Sequence, residues 1–165
     1  MKLVDNLLPE EDFKSLQEIV LGNEIPYYFQ NSVLELKDCK DKSNVNQFYF
    51  THTLFENNRP ASLFFDIFNE KLFKKLYKFA IYRAKINCYP RTDTIVHHDK
   101  HTDHVMSHKG LVLSFNTCDG CTVLEDGTMI ESVANRGLFF DSSKEHNSTT
   151  CTNAKARFNI NINYI

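Results

Sequence analysis

No apolar run in this sequence approaches the roughly 18 residues that a membrane span requires, so no membrane partner is expected. Neither sign of charge dominates: the formal net charge is −2, which leaves no broad electrostatic lure for nucleic acid. Tryptophan is absent, yet 14 Phe, 7 Tyr and a hydrophobic share of 42% describe an ordinary soluble globular protein. The five cysteines are odd in number and lack a framework spacing, which excludes a disulfide scaffold and predicts a reducing, cytoplasmic setting. The start, Met1-Lys2-Leu3-Val4-Asp5-Asn6, turns acidic too soon for a signal peptide. No repeat, linker or low-complexity stretch divides the 165 residues. One domain over 1–165 is therefore expected, with 1–80 a mixed helical support and 81–165 a β core.

Pro9-Glu10-Glu11-Asp12 places proline and acids in a first helical turn. Phe13, Leu16, Ile19 and Val20 follow at helical spacing, and Gly22 stops the run. Pro26–Phe29 and Gln47–Leu54 read as strands, and the polar segment Asp38–Asn44 as a loop or hairpin tip. A wide apolar stripe from Leu63 to Ala80 predicts a helix over Ala61–Ala80 that packs on the outer face of the sheet holding the last strand. From Ile81 the period becomes two. Strands are predicted at Ile81–Tyr89, Leu111–Asn116, Cys121–Glu125, Met129–Val133, Gly137–Asp141 and Ala156–Tyr164, punctuated by turn signals. Short strands at such intervals predict a sandwich or barrel.

The last strand carries Arg157, Asn159, Asn161 and Asn163 on one face and Phe158, Ile160, Ile162 and Tyr164 on the other. Either the polar face is wet, as in a simple sandwich, or it lines a polar cavity while the apolar face packs under the helices.

The richest stretch for chemistry is Val96–His104, which packs four histidines and two aspartates into nine residues. Imidazole and carboxylate together suit a divalent first-row ion. Two triplets overlap here, His97-x-Asp99 and His101-x-Asp103, and either could offer two ligands from one face of a strand. Beyond the nearby His108, the only imidazole further downstream is His146. A solvated polar loop would explain the same residues. Cys118-Asp119-Gly120-Cys121 lacks a partner pair for zinc and a following helix for redox chemistry. It is read as a hairpin tip turning at Asp119-Gly120, a redox or metal role being the alternative.

Read together, the chain gives His-x-Asp, a strand ending at Asn116, Gly120-x-Thr122, Gly137-Leu138-Phe139-Phe140-Asp141, His146, and Arg157 eleven residues later. From about Arg83 onward this resembles the iron(II)/2-oxoglutarate-dependent dioxygenases, in particular the small prolyl-4-hydroxylase-like members often carried by bacteriophages. The resemblance implies a double-stranded β-helix, a jelly-roll or cupin-like barrel in a mainly β fold with N-terminal helices (α+β). It implies Fe(II), 2-oxoglutarate and dioxygen as cofactor and co-substrates, with ascorbate an optional reductant. The implied reaction hydroxylates a C–H bond and releases succinate and carbon dioxide.

Among the two triplets, His101 and Asp103 match the family better: thirteen residues separate Asp103 from Asn116, and His101-Thr102-Asp103 has the form common in phage members. His101, Asp103 and His146 are then the implied metal ligands, with His97, His98 and Asp99 supporting them, facing the substrate or merely solvated. Arg157 is implied as the bidentate partner of the distal 2-oxoglutarate carboxylate. Tyr89 and Asn87 lie on the strand before the triplet, on the face of Arg83, where the family often places donors to 2-oxoglutarate; packing inside the barrel would account for them equally. Ser114 departs from the family, which usually has tyrosine two residues before the strand-ending Asn. His104 and His108 are read as loop residues without a role.

A cupin-like isomerase or hydrolase would use the same three ligands but needs no guanidinium at Arg157, and a decayed binding module would not keep all four residues. A protein or small-molecule substrate is expected rather than duplex nucleic acid, with a nucleobase still open. The protein is expected as a monomer or weak homodimer in the cytoplasm, the host's if the chain is viral.

Overall fold

The computed structural model describes residues 1–33, 46–76, 80–104 and 106–165. In chain order the elements are β1 (Lys2–Val4), α1 (Glu10–Leu21), β2 (Tyr28–Gln30), β3 (Tyr49–Glu56), β4 (Arg59–Pro60), α2 (Phe65–Lys71), a 3₁₀ turn (Phe73–Leu76), β5 (Ile81–Pro90), β6 (Lys109–Ser114), β7 (Cys118–Val123), β8 (Met129–Ser132), β9 (Gly137–Phe140), β10 (Asn147–Ser148) and β11 (Ala156–Tyr164). The loop expected at Asp38–Asn44 falls, apart from its surroundings, outside the described residues.

The larger sheet runs β1-β9-β6-β11-β5-β3-β2, with β4 added beside β3, and the smaller runs β10-β7-β8. All of these strand pairs are antiparallel. Isolated bridges Arg91–Cys151, His97–Thr149 and His101–His146 lay the segment after β5 beside residues 146–151. The result is a jelly roll, within the sandwich or barrel that the strand pattern predicts and as the family resemblance implies.

The central strand β11, held between β5 and β6, decides the layering. Its apolar face joins one cluster: Ile160, Ile162 and Tyr164 with Ala84 and Ile86 of β5, Leu111 and Leu113 of β6, Phe13, Leu16 and Val20 of α1, and Phe68, Leu72, Phe73 and Leu76. Each large side chain buried there stabilises the fold by roughly 1.5–3 kcal/mol. Asp12 of α1 ties the helical layer together through Lys71 and Lys75. The opposite face of β11 turns its polar residues towards the smaller sheet, where Arg157 reaches β7. A cavity-facing polar row, rather than a wetted one, is what the structure shows.

Two sequence expectations fail here. Within the described residues the helix expected over Ala61–Ala80 is α2, Phe65–Lys71, followed after Leu72 by the 3₁₀ turn; residues 77–79 of that span lie outside the described residues. Phe68 and Leu72 are four apart and share a face of an α-helix. Phe73 and Leu76 are three apart and eclipse in the tighter winding, and all four are buried. The expected hairpin tip at Asp119-Gly120 is instead the interior of β7, with a bulge between Cys118 and Cys121 against β8. Asp119 accepts from the Thr152 backbone and hydroxyl across the bulge, so the bulge, not a turn, uses the Asp-Gly pair.

Candidate metal centre

The segment leaving β5 returns to lie beside the residues that precede β10. There the His101 N–H donates to the His146 carbonyl at 2.9 Å, and the His146 N–H donates back to the His101 carbonyl at 2.9 Å. This double link holds the two rings with centroids 4.8 Å apart. Asp103 is fixed in turn by its N–H on the Ser142 carbonyl, 3.2 Å. One donor atom from each of His101, Asp103 and His146 lies within 4.8 Å of the others.

Both imidazoles are oriented by backbone carbonyls at Nδ1: Asp99 for His101 at 3.2 Å and Lys144 for His146 at 2.9 Å. That leaves each Nε2 as the lone-pair nitrogen, 3.9 Å and 3.6 Å from the two Asp103 oxygens. Such orientation through the far nitrogen is the usual support of a metal-binding histidine. Burial, with His146 beside it, pulls the His101 pKa down to about 4, so the ring is a neutral donor at neutral pH. Burial opposes ionisation of Asp103, but His146, Arg83, Lys85 and His101 outweigh it and hold the carboxyl well below the usual carboxylate range. Two imidazoles and one carboxylate fit a divalent first-row ion.

The competing triplet is placed otherwise. His97 is exposed and pairs by its backbone with Thr149. His98 is 3% exposed, with Nδ1 against the Ser148 carbonyl and hydroxyl, and burial pulls its pKa down to about 4. Gln47, two residues ahead of β3, clamps this stretch: its side-chain nitrogen donates to the His97 carbonyl and its side-chain oxygen accepts from the Asp99 N–H. Nothing in the pattern of Gln47 marked it for this role. His108 also departs from expectation. It is buried beside Tyr82 just ahead of β6, its Nδ1 on the Met106 carbonyl at 2.7 Å, while His104 is exposed.

Arg157 lies at the other end of the polar row and is 1% exposed. Its guanidinium donates to the carbonyls of Cys121 at 2.7 Å and Thr149 at 3.3 Å, and to the Thr122 hydroxyl at 2.8 Å. Its carbon sits 5.5 Å from the Tyr89 ring centroid, and its Nε has no partner. Among the described residues no carboxylate lies within ion-pair distance of it. A buried cation without an anion is costly. Gly120 makes the arrangement feasible, since a Cβ there would meet the Thr150 carbonyl oxygen at 2.6 Å and Arg157 Cδ at 2.8 Å. Between the two ends is a cavity of about 30 Å³ lined by Asn87, Tyr89, Thr122, Asn159 and the two histidines His101 and His146. It holds water-sized space only.

Asn87 donates to the Asn159 side chain at 3.0 Å, and Tyr89 stacks on Tyr49 with centroids 5.5 Å apart. Both therefore line the barrel. The residues missed from sequence are those around Asp103: Arg83, Asn161 and Asn163 all donate to its carboxylate.

No family model and no curated protein matches the sequence. Solved structures do match its fold. A 2OG-Fe(II) oxygenase family oxidoreductase from Burkholderia pseudomallei superposes with TM-score 0.66 at 12% identity, over 98% of this chain and 82% of that one. A prolyl hydroxylase from Trichoplax adhaerens, in complex with a hypoxia inducible factor oxygen degradation domain peptide fragment, gives 0.66 at 14% identity, over 99% and 82%. A Pseudomonas putida prolyl-4-hydroxylase gives 0.58 at 12% identity, over 99% and 90%. The chain has the jelly-roll fold of these oxygenases along nearly its whole length.

Proposed function

We propose that this protein is an Fe(II)- and 2-oxoglutarate-dependent dioxygenase that hydroxylates a C–H bond of a peptidyl residue or a small molecule. The single observation that carries this is the pairing, across one polar interior, of the triad His101, Asp103 and His146 with the buried, carboxylate-free Arg157. A hydrolase or isomerase needs the first and has no use for the second.

In this reading His101, Asp103 and His146 hold the iron through two Nε2 atoms and one carboxylate oxygen. With iron bound, the chemistry supplied is the coupled reaction of dioxygen, 2-oxoglutarate and substrate C–H to succinate, carbon dioxide and substrate C–OH. The chain's own residues bind and orient. Arg157 takes the distal carboxylate of 2-oxoglutarate as a charge-assisted fork, and Thr122, which already accepts from it, fixes the fork's plane. Tyr89 and Asn87 provide a hydroxyl and an amide along the same wall. Ser114 is buried beside Asn159, and the tyrosine common there in the family is absent, so Arg157 is expected to provide most of the grip.

A protein or small-molecule substrate is favoured by the peptide complex of the Trichoplax neighbour and by a net charge of −2. The pairing of β1 with β9 joins the N-terminal residues to the barrel and supports one domain over 1–165. The four described cysteines are free, which fits a cytoplasmic setting. The test is anaerobic addition of Fe(II) and then 2-oxoglutarate, followed by air. A visible charge-transfer band that needs both, and slow succinate release without substrate, are expected; metal binding with neither excludes the dioxygenase.

A further inference from the structure

Arg83 stands on the inward face of β5, directly opposite Asn163 of β11. Its Nη2 donates to Asp103 Oδ1 at 2.9 Å, and its Nε donates to the Asn163 side-chain oxygen at 2.9 Å. Asn163 then donates to Asp103 Oδ2 at 2.9 Å, and Asn161 reaches Oδ2 at 3.1 Å and Oδ1 at 3.3 Å. Three side chains from two paired strands thus grip both oxygens of one carboxylate. The Asp103 side chain is 2% exposed and that of Arg83 is 20% exposed, so the carboxylate is held out of solvent and the pair is largely buried.

We propose that Arg83 is a positioning residue that tunes the metal site through Asp103, keeping a bound iron ion in the ferrous state; this rests on the iron-site reading of His101, Asp103 and His146. A guanidinium is always charged and its fork is rigid, so both its direction and its charge are fixed. Bonded to Oδ1, it draws electron density from the one anionic ligand of the set. It also places a permanent positive charge next to the ion in a water-poor interior, where such charges act strongly. Both effects disfavour the ferric state, which carries one more positive charge, over the ferrous. Asn161 and Asn163 are neutral donors that fix the carboxylate plane without adding to that field. Only Arg83 does both. A ferrous site that waits for substrate in air gains from resistance to idle oxidation.

A purely structural role for the same contacts would leave the metal's potential unmoved, and the test uses that difference. Wild type, Arg83→Met and Arg83→Lys are loaded anaerobically with Fe(II) and poised at set potentials, and the ferric fraction is read by electron paramagnetic resonance. Arg83→Met is expected to shift the preference towards Fe(III) by at least about tenfold, a fall of about 59 mV for one electron. Arg83→Lys, which restores the charge but not the fork, is expected to recover most of that shift. Should Arg83→Met hold no iron, Arg83→Gln, which keeps a donor for Oδ1 without the charge, carries the same expectation. Equal potentials in charged and uncharged variants that bind iron stoichiometrically overturn the proposal. A different failure, wild type whose iron binding is indifferent to His146→Ala, overturns the iron-site reading itself.

Discussion

The backbones of His101 and His146 exchange two hydrogen bonds of 2.9 Å, and this one bridge sets their rings side by side. The site is therefore assembled by main-chain pairing, and its side chains can be removed singly without unpicking the fold. His101→Ala and His146→Ala are each expected to lower Co(II) or Fe(II) affinity by more than about a hundredfold. Metal-binding calorimetry checks this, with far-ultraviolet circular dichroism expected to be unchanged. The same substitution at His97, which lies outside the triad, is expected to leave affinity within about threefold of wild type.

Acid should destabilise the metal-free protein in two steps. His98 is buried neutral, with its pKa lowered from 6.5 to about 4, and His101 behaves alike. The unfolded chain takes up protons that the native state refuses, so stability is full above pH 6.5 and falls as the pH drops towards about 4. Asp103 acts in the opposite range: its depressed pKa contributes stability above the ordinary carboxylate value, lost only in stronger acid. Denaturant melts at pH 7, 5.5 and 4.5 should show the first loss. His98→Gln should reduce the slope between pH 6.5 and 4 by about one proton's worth, roughly 1.4 kcal/mol per pH unit.

Gly120→Ala places a methyl group against the Thr150 carbonyl oxygen and Arg157 Cδ. A cost of about 1–3 kcal/mol in stability is expected from the overpacking. Displacement of the guanidinium should also weaken 2-oxoglutarate binding while leaving Fe(II) affinity near wild type. Paired titrations with metal and with 2-oxoglutarate separate the two effects.

In the apolar layer, Leu72 is fully buried where α2 gives way to the 3₁₀ turn. Leu72→Ala should cost about 2–5 kcal/mol by thermal or denaturant unfolding. A cost near zero would mean that this layer does not cover the sheet as described.

Much of this was legible in the sequence because it depends on local period or chemistry. The two-residue alternation of Ala156–Tyr164 announced a strand with a polar and an apolar face, and the structure uses both. The triad was picked out through the family resemblance, by the distance from Asp103 to Asn116 and the form His101-Thr102-Asp103, since two overlapping His-x-Asp triplets left the choice open. The extent of α2 was not legible, since an apolar stripe does not say where α winding gives way to 3₁₀. Asp119-Gly120 looked like a turn because the bulge that absorbs it exists only through pairing with β8. The grip of Arg83, Asn161 and Asn163 on Asp103 depends on the register of β5 against β11. A chain read in one dimension carries no register.

In the proposed function Arg157 takes the distal carboxylate of 2-oxoglutarate, and a titration of iron-loaded protein with 2-oxoglutarate, followed by the charge-transfer absorption, reads that contact. Wild type is expected to saturate. Arg157→Ala should lose about 2–5 kcal/mol of affinity, because a buried carboxylate is left without its partner. Arg157→Lys should lose less, keeping the charge but not the fork. Wild-type protein that shows no saturable binding, or an Arg157→Ala variant that binds 2-oxoglutarate as tightly as wild type, would contradict the dioxygenase assignment.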